Sequence, residues 1–146
     1  MSLTLAVARR PAHRPYSWVV TNLDGLGAEK YVLLTTFRRD GRAVPTPVWA
    51  VRDGDALAVW TVADSGKVKR IRRSGEVTVA PCNVRGKPRG AAVPGHATII
   101  GDATSRARLR DLLGRKYGLV GRLSMLASRL RRGADGSLGI RIALTD

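Results

Sequence analysis

Between Lys30 and Val62 the chain carries three β-forming runs separated by two Asp-Gly turns. "KYVLLTTF" runs into "RRDG", "AVPTPVWAVR" into "DGD", and "ALAVWTV" closes the series. Val, Thr, Tyr and Phe suit a pleated, half-buried surface, and Asp-Gly supplies the tight reversal of a hairpin. The series predicts an antiparallel meander of three strands, with "AVPTPVWAVR" as one of them. "EVTVAPCNV", "RGAAVPGHATIIGD" and "SLGIRIALTD" read as three more strands, with "RGKP" as a turn between the first two. About six strands follow.

Helical signals fall in two places. "ADSGKVKRIRRS" reads as a short helix capped by Asp64 or Ser65. "TSRARLRDLLGRKYG" spaces Leu109, Leu112 and Leu113 for one helical face, with Gly118 as its C-cap. "LVGRLSMLASRLRRG" repeats this with Leu119, Leu123, Leu126 and Leu130 and ends at Gly133. The leucines are expected to pack on the strands and the interleaved arginines to be solvated; a basic amphipathic helix could also lie on a membrane or nucleic acid. The predicted fold is mainly β, an antiparallel barrel with helices at its side. Residues 1–28 read as an N-terminal arm that "DGLG" terminates. Residues 29–146 form a single domain with a helical insert at about 104–133.

Lys and Arg number 26 against 11 Asp and Glu, a formal net charge of +15. Such a balance favours a polyanionic partner: nucleic acid, an anionic membrane or a multiply charged small molecule. The single cysteine, Cys82, excludes an intrachain disulfide, and no Cys/His cluster has zinc spacing. The N-terminus lacks the order of a signal peptide, and no stretch reaches the length of a membrane span, so a cytoplasmic protein is the default expectation. Cys82 is expected to be a small buried residue, His96 to be structural and His13 solvated.

Two stretches invite chemistry. "DSGKVKRIRR" puts Lys67, Lys69 and Arg70 in the first turns of a helix, where the free N–H groups are already positive. If Val68 and Ile71 face the core, Lys69, Arg70 and Arg73 point away from it. An anion held by backbone N–H groups, Ser65 and Lys67 would resolve the conflict. A solvated basic face explains it equally well. In "VPTPVW", Pro45 and Pro47 are two apart, so both direct a missing N–H to the same strand edge. That edge is either a protected sheet edge or a ledge for a planar ligand. Trp49 beside it fits both.

Taken together, "KYVLLTTFRRDG", "PTPVWAV", "VWT" and "DSGKVKRIRRSGEVTVAPC" resemble the split β-barrel proteins of the pyridoxamine-phosphate-oxidase-like superfamily. Within it, they look like the flavin/deazaflavin oxidoreductase group, in its coenzyme F420-dependent branch B. The similarity covers Lys30 to about Asp102. It implies an FMN-binding type of split barrel, a homodimer with the cofactor at the interface, and hydride transfer between reduced coenzyme F420 and a small conjugated acceptor. In the flavin-binding oxidases the first strand offers two basic residues to the flavin; here, in the run from Lys30 to Thr35, Lys30 keeps the first and Thr35 replaces the second, and Thr36 follows. The oxidases' phosphate grip matches Thr61, Ser65, Gly66 and Lys67, with Gly66 in place of an arginine. These two departures count against FMN. In the deazaflavin branch, Thr46, Pro47, Val48 and Trp49 would lie beside the ring with Trp60. Lys67, Lys69 and Arg70 would hold the phosphate and its acidic tail. Acceptor choice is expected to rest on the arm, Trp18, Trp60 and the helical insert.

Rival readings are a carrier that binds coenzyme F420 without turnover, a flavin or haem protein on the same barrel, and a nucleic-acid binder. The last is disfavoured by the few aromatics, Phe37 with three Trp and three Tyr.

Overall fold

The structure is a computed structural model that describes residues 21–133 and 136–145. His13 and Trp18 lie outside the described residues. The first predicted run forms β1 (Tyr31–Phe37), whose residues alternate half-buried and buried. Val32, Leu34 and the fully buried Thr36 thus share the inward face. β2 (Ala43–Val48) returns antiparallel along β1. β3 (Ala50–Asp53) and β4 (Ala56–Val62) form the second hairpin. β5 (Glu76–Cys82), β6 (Val93–Ile100) and β7 (Ser137–Leu144) complete one seven-stranded antiparallel sheet in the order β2-β1-β5-β6-β7-β4-β3.

One predicted strand is two. "AVPTPVWAVR" breaks at Trp49: Val48 still pairs with Val32 of β1, but Ala50 pairs with Val59 of β4. Pro45 and Pro47 lie opposite Thr35 and Leu33, on the end strand of the sheet, so their missing N–H groups face an edge with no ladder among the described residues. The chain therefore leaves one end of the sheet at Trp49 and joins the other end at Ala50. The sheet rolls into a barrel that is joined there by covalent chain rather than by a ladder. The core inside combines Val32, Leu34, Leu57, Val59, Val79, Ile140 and Ile142 with Leu26 and Ile71 from helices.

Among the described residues, three helices decorate the barrel. The segment "DGLG", expected to end the arm, lies within a helix, α1 (Leu23–Ala28). Asn22 caps it by accepting from the Gly25 N–H at 2.7 Å, and burial of Leu26 in the core outweighs the poor helix propensity of its glycines. α2 (Gly66–Arg73) follows β4; Ser65 is its N-cap, and Val68 and Ile71 are the two residues it buries. α3 (Ala103–Arg132) fills the predicted insert. It bends at Gly118, whose φ of 64° and ψ of −144° no ordinary helical residue adopts, so it comprises two arms, 103–117 and 119–132. The first arm packs Leu109 and Leu113 on Val51 and Ala58. The expectation for the second arm is corrected: Leu119, Val120, Leu123, Leu126 and Leu130 are exposed rather than packed on the barrel. The kink directs this arm so that it offers the described residues only its inner side. Among the described residues, no helix is long and apolar enough to cross a membrane.

Candidate functional site

The β3–β4 ladder ends at Ala50 and Val59. Beyond it, Trp60, Thr61 and Val62 keep β7 on one side and, among the described residues, have no strand on the other. The facing edge is the proline edge of β2. Two unpaired edges thus leave a seam in the barrel wall. A cavity of about 310 Å³ opens there, lined by Thr46, Pro47, Val48 and Trp49 from β2 and its exit, and by Trp60, Thr61 and Val62 from β4. Lys67 of α2 reaches it, and α3 contributes Leu113, Ser124, Met125 and Ser128. An apolar slot edged by hydroxyls and one cation is the usual chemistry of a small planar-ligand site.

The crossover at Trp49 is held from outside the barrel. The Trp49 ring stacks on Tyr117, with centroids 4.4 Å apart and planes 6° from parallel. The Tyr117 hydroxyl donates to the Lys30 carbonyl at 2.8 Å and accepts from the Ala50 N–H at 3.2 Å. Lys116 Nζ donates to the carbonyls of Glu29 and Ala50 at 2.6 and 2.5 Å. Burial pulls the Lys116 amine down to about 8. A neutral amine still has two hydrogens for these two carbonyls.

α2 stands between the seam and a second concavity. A groove of about 460 Å³ is lined by Arg38, Arg39, Asp40 and Arg42 from the β1–β2 turn and by Lys69, Arg70 and Arg73. Asp40 is the only carboxylate among its lining residues, and it pairs with Arg42 at 2.8 Å. Arg70 Nε donates to Thr36 Oγ1 at 2.7 Å, which ties α2 to the end of β1. Its guanidinium crosses Gly66 so closely that a Cβ there would lie 2.8 Å from Nη1. The glycine is what lets Arg70 cover the first turn of the helix. Lys67 sits one turn before Arg70, and its pKa is below the usual lysine value because of burial first and the Arg70 charge second. An anion at this point would relieve both.

Of the residues that the sequence nominated, Thr46, Pro47, Val48, Trp49, Trp60, Thr61 and Lys67 meet in the seam, and Lys69 and Arg70 in the groove. Thr36 serves through Arg70. Lys30, Thr35, Ser65 and Gly66 line neither cavity; the Ser65 hydroxyl accepts from the Val68 N–H at 3.4 Å as a helix cap. Ser124, Met125 and Ser128 were not nominated, because only tertiary folding brings them to a wall more than sixty residues away in the chain. Arg38, Arg39 and Arg42 carry a readable signal, the run of basic residues in "RRDGR", which the turn pattern of Asp-Gly masks. Cys82 is buried, and its thiol is pushed up to about 11, chiefly by desolvation, so it is a poor nucleophile. His96 is exposed on β6 opposite Glu76 and lines neither cavity.

Solved structures share this architecture. A protein described as an F420 reductase is 17% identical, with 88% of this chain and 97% of that one covered and a TM-score of 0.56. The haem storage protein of Vibrio cholerae is 12% identical, with 85% and 88% covered and a TM-score of 0.61. An FAD-binding protein of Mesorhizobium loti is 19% identical, with 83% and 85% covered and a TM-score of 0.56. At these identities the likeness shows the fold, the split barrel, and the ligands that name these three proteins differ. No curated protein matches the sequence. The sequence pattern of the pyridoxamine 5'-phosphate oxidase family, however, matches residues 22–138, a span that contains β1 to β6, both arms of α3 and the start of β7, and the chain belongs to that family.

Proposed function

We propose that the seam takes the deazaflavin ring of coenzyme F420 and that the protein is an oxidoreductase passing a hydride between the reduced coenzyme and a small conjugated acceptor. The observation that carries this reading is an apolar slot and a cationic groove set on either side of one short helix. Pro47, Val48, Trp49 and Trp60 would flank the ring, and Thr46 and Thr61 would meet its polar edge. Lys67 would hold the phosphodiester. Lys69 and Arg70, with Arg38, Arg42 and Arg73, would track the acidic tail. The coenzyme, when bound, supplies the hydride chemistry; the chain supplies position, exclusion of water and a fixed electrostatic field.

Gly66 does not weigh against FMN as the sequence suggested, because Arg70 brings a guanidinium over that position. What favours the longer coenzyme is the groove. A single phosphate ester needs one grip at Lys67, whereas about 460 Å³ lined by six cations suits a chain of carboxylates. A homodimer belongs to the same reading. Leu119, Leu123, Leu126 and Leu130 repeat along the outer side of the arm whose inner side lines the seam, and a second copy laid on them would close the cavity from solvent.

Titration of the protein with oxidised coenzyme F420 and with FMN, followed by fluorescence, tests the proposal. Saturable binding with preference for coenzyme F420 is expected. A Lys67→Ala, Lys69→Ala variant is expected to bind it at least about tenfold more weakly. Unchanged affinity in that variant sinks the reading. Tight binding without reduction of any acceptor in a broad panel makes the protein a carrier. A Soret band in the purified protein makes it a haem protein.

A further inference from the structure

The bend at Gly118 folds the two arms of α3 toward each other and leaves a notch of about 360 Å³ between them. Its lining is Arg110 and Asp111 from the first arm and Arg122, Met125, Leu126 and Arg129 from the second. We infer that this notch is a second anion site, separate from the groove beside α2, and that it takes a small molecule bearing two or more carboxylate or phosphate groups. The inference stands whether or not the seam holds a deazaflavin.

Three guanidinium groups converge here from two helical segments. The one acid of the notch, Asp111, pairs with Arg115 at 2.9 Å. Among the described residues, no carboxylate lies within ion-pair distance of Arg110, Arg122 or Arg129. Each of the other acids of the barrel that stand near arginines is engaged: Asp53 takes Arg108 and Arg141, Asp55 takes Arg141, and Glu29 takes Arg89. Like charges gathered without a counterion repel, and a polyanion converts that repulsion into attraction at every fork.

The arginines are also placed rather than merely present. The Arg110 guanidinium lies over the Trp60 ring, 5.7 Å from its centroid. Arg122 lies against Gly114 of the opposite arm. A Cβ on Gly114 would come within 2.8 Å of Arg122 Cζ and 3.1 Å of both terminal nitrogens, so the guanidinium occupies the space that a side chain would take. Met125 supplies an apolar floor for the carbon skeleton of the ligand, and Leu126 forms the rim where the notch meets the exposed stripe. Met125 also lines the seam, and Trp60 lies between the seam and Arg110, so an occupant of the notch perturbs the wall of the neighbouring cavity.

Tryptophan emission reads the notch through Trp60, and among the described residues no tryptophan lines the groove beside α2. Titrations would use citrate and pyrophosphate, with acetate as the singly charged control, at constant ionic strength. Saturable binding of at least one of the two, without a response to acetate, is expected. Binding of citrate alone assigns a polycarboxylate, binding of pyrophosphate alone a phosphorylated ligand, and either supports the site. Arg110→Gln with Arg122→Gln is expected to weaken binding about tenfold or more. Arg72→Gln with Arg85→Gln removes the same charge at exposed residues that line none of these cavities, and is expected to leave the affinity unchanged. Gly114→Ala keeps every charge but displaces the flexible Arg122 end, and is expected to weaken binding several-fold with its melting temperature maintained. If Gly114→Ala fails to fold, the two arginine pairs carry the comparison alone. Absence of binding, equal loss in the two arginine pairs, or wild-type affinity in a folded Gly114→Ala overturns the inference.

Discussion

The two arms of α3 are written in nearly the same alphabet, leucines at helical spacing among arginines, yet they meet opposite fates. Before Gly118, Leu109 and Leu113 are 2% and 0% exposed, seated on the outer face of β3 and β4. After it, Leu119, Leu123, Leu126 and Leu130 are 53–79% exposed. Periodicity states that a face wants cover; it does not state what provides it. The first arm finds its cover in the barrel and is also the pin that holds the Trp49 crossover. The second arm turns Gly121, Ser124, Met125 and Ser128 toward the barrel side and leaves its leucines exposed.

The comparison breaks most visibly under truncation. Leu113→Ala removes a fully buried side chain from the contact with Val51 and Ala58 and is expected to cost about 2–5 kcal/mol in urea unfolding. Leu123→Ala, measured on the monomeric chain, is expected to cost within about 0.5 kcal/mol. Equal losses would mean that the second arm is packed within its own chain. Leu123→Glu with Leu126→Glu sharpens the same contrast. Light scattering is expected to report a shift toward monomer with little change in the melting temperature of the monomer, and a monomeric wild type would remove the proposed role of the stripe.

How far the sequence went follows the same division. β1, β4 and α2 were legible because their signals are local: alternation between turns for the strands, and Ser65 ahead of Val68 and Ile71 for the helix. The break at Trp49 was not, because "PVWAV" continues a β pattern and only the pairing of Val48 with one strand and Ala50 with another reveals it. The seam was half legible for the same reason. Its β2 and α2 walls lie in two short motifs, whereas its α3 wall depends on where the kink at Gly118 sends the chain. The predicted cap at Gly118 identified the residue but not the direction. The glycines of "DGLG" misled in the opposite sense, since tertiary burial of Leu26 is invisible to propensity.

The crossover itself gives a prediction of intermediate size. Tyr117→Phe keeps the ring on Trp49 but removes the acceptor of the Ala50 N–H, at a fully buried residue. A buried donor left unpaired costs about 1–3 kcal/mol. Because Trp49 forms one wall of the seam, ligand affinity is expected to fall alongside stability, whereas Leu113→Ala at matched stability should affect the seam mainly through packing. A Tyr117→Phe variant with wild-type melting temperature would show that the stacked rings alone hold the turn.

The smallest effect concerns Lys116 and is read as a slope. Its amine titrates at about 8 in the folded chain because burial disfavours the charge, against 10.5 for an ordinary lysine. Between those values the unfolded chain holds a proton that the folded chain has released, so stability contributed through this residue rises with pH. Below about 8 both states are charged and the contribution is flat. Lys67 acts in the same direction, since its pKa is also lowered. Cys82 and Tyr117 act in the opposite one at higher pH, because the folded chain keeps their protons longer, to about 11 and about 12. The clean window is therefore about pH 8–9, and the clean quantity is the difference between wild type and Lys116→Met, in which the other groups cancel. Wild type is expected to gain stability relative to the variant across that window, by less than about 1.4 kcal/mol per pH unit because the side chain is only half-buried. Parallel profiles would mean that Lys116 stays charged against the two carbonyls, and that the crossover is held by an ammonium rather than by a neutral amine.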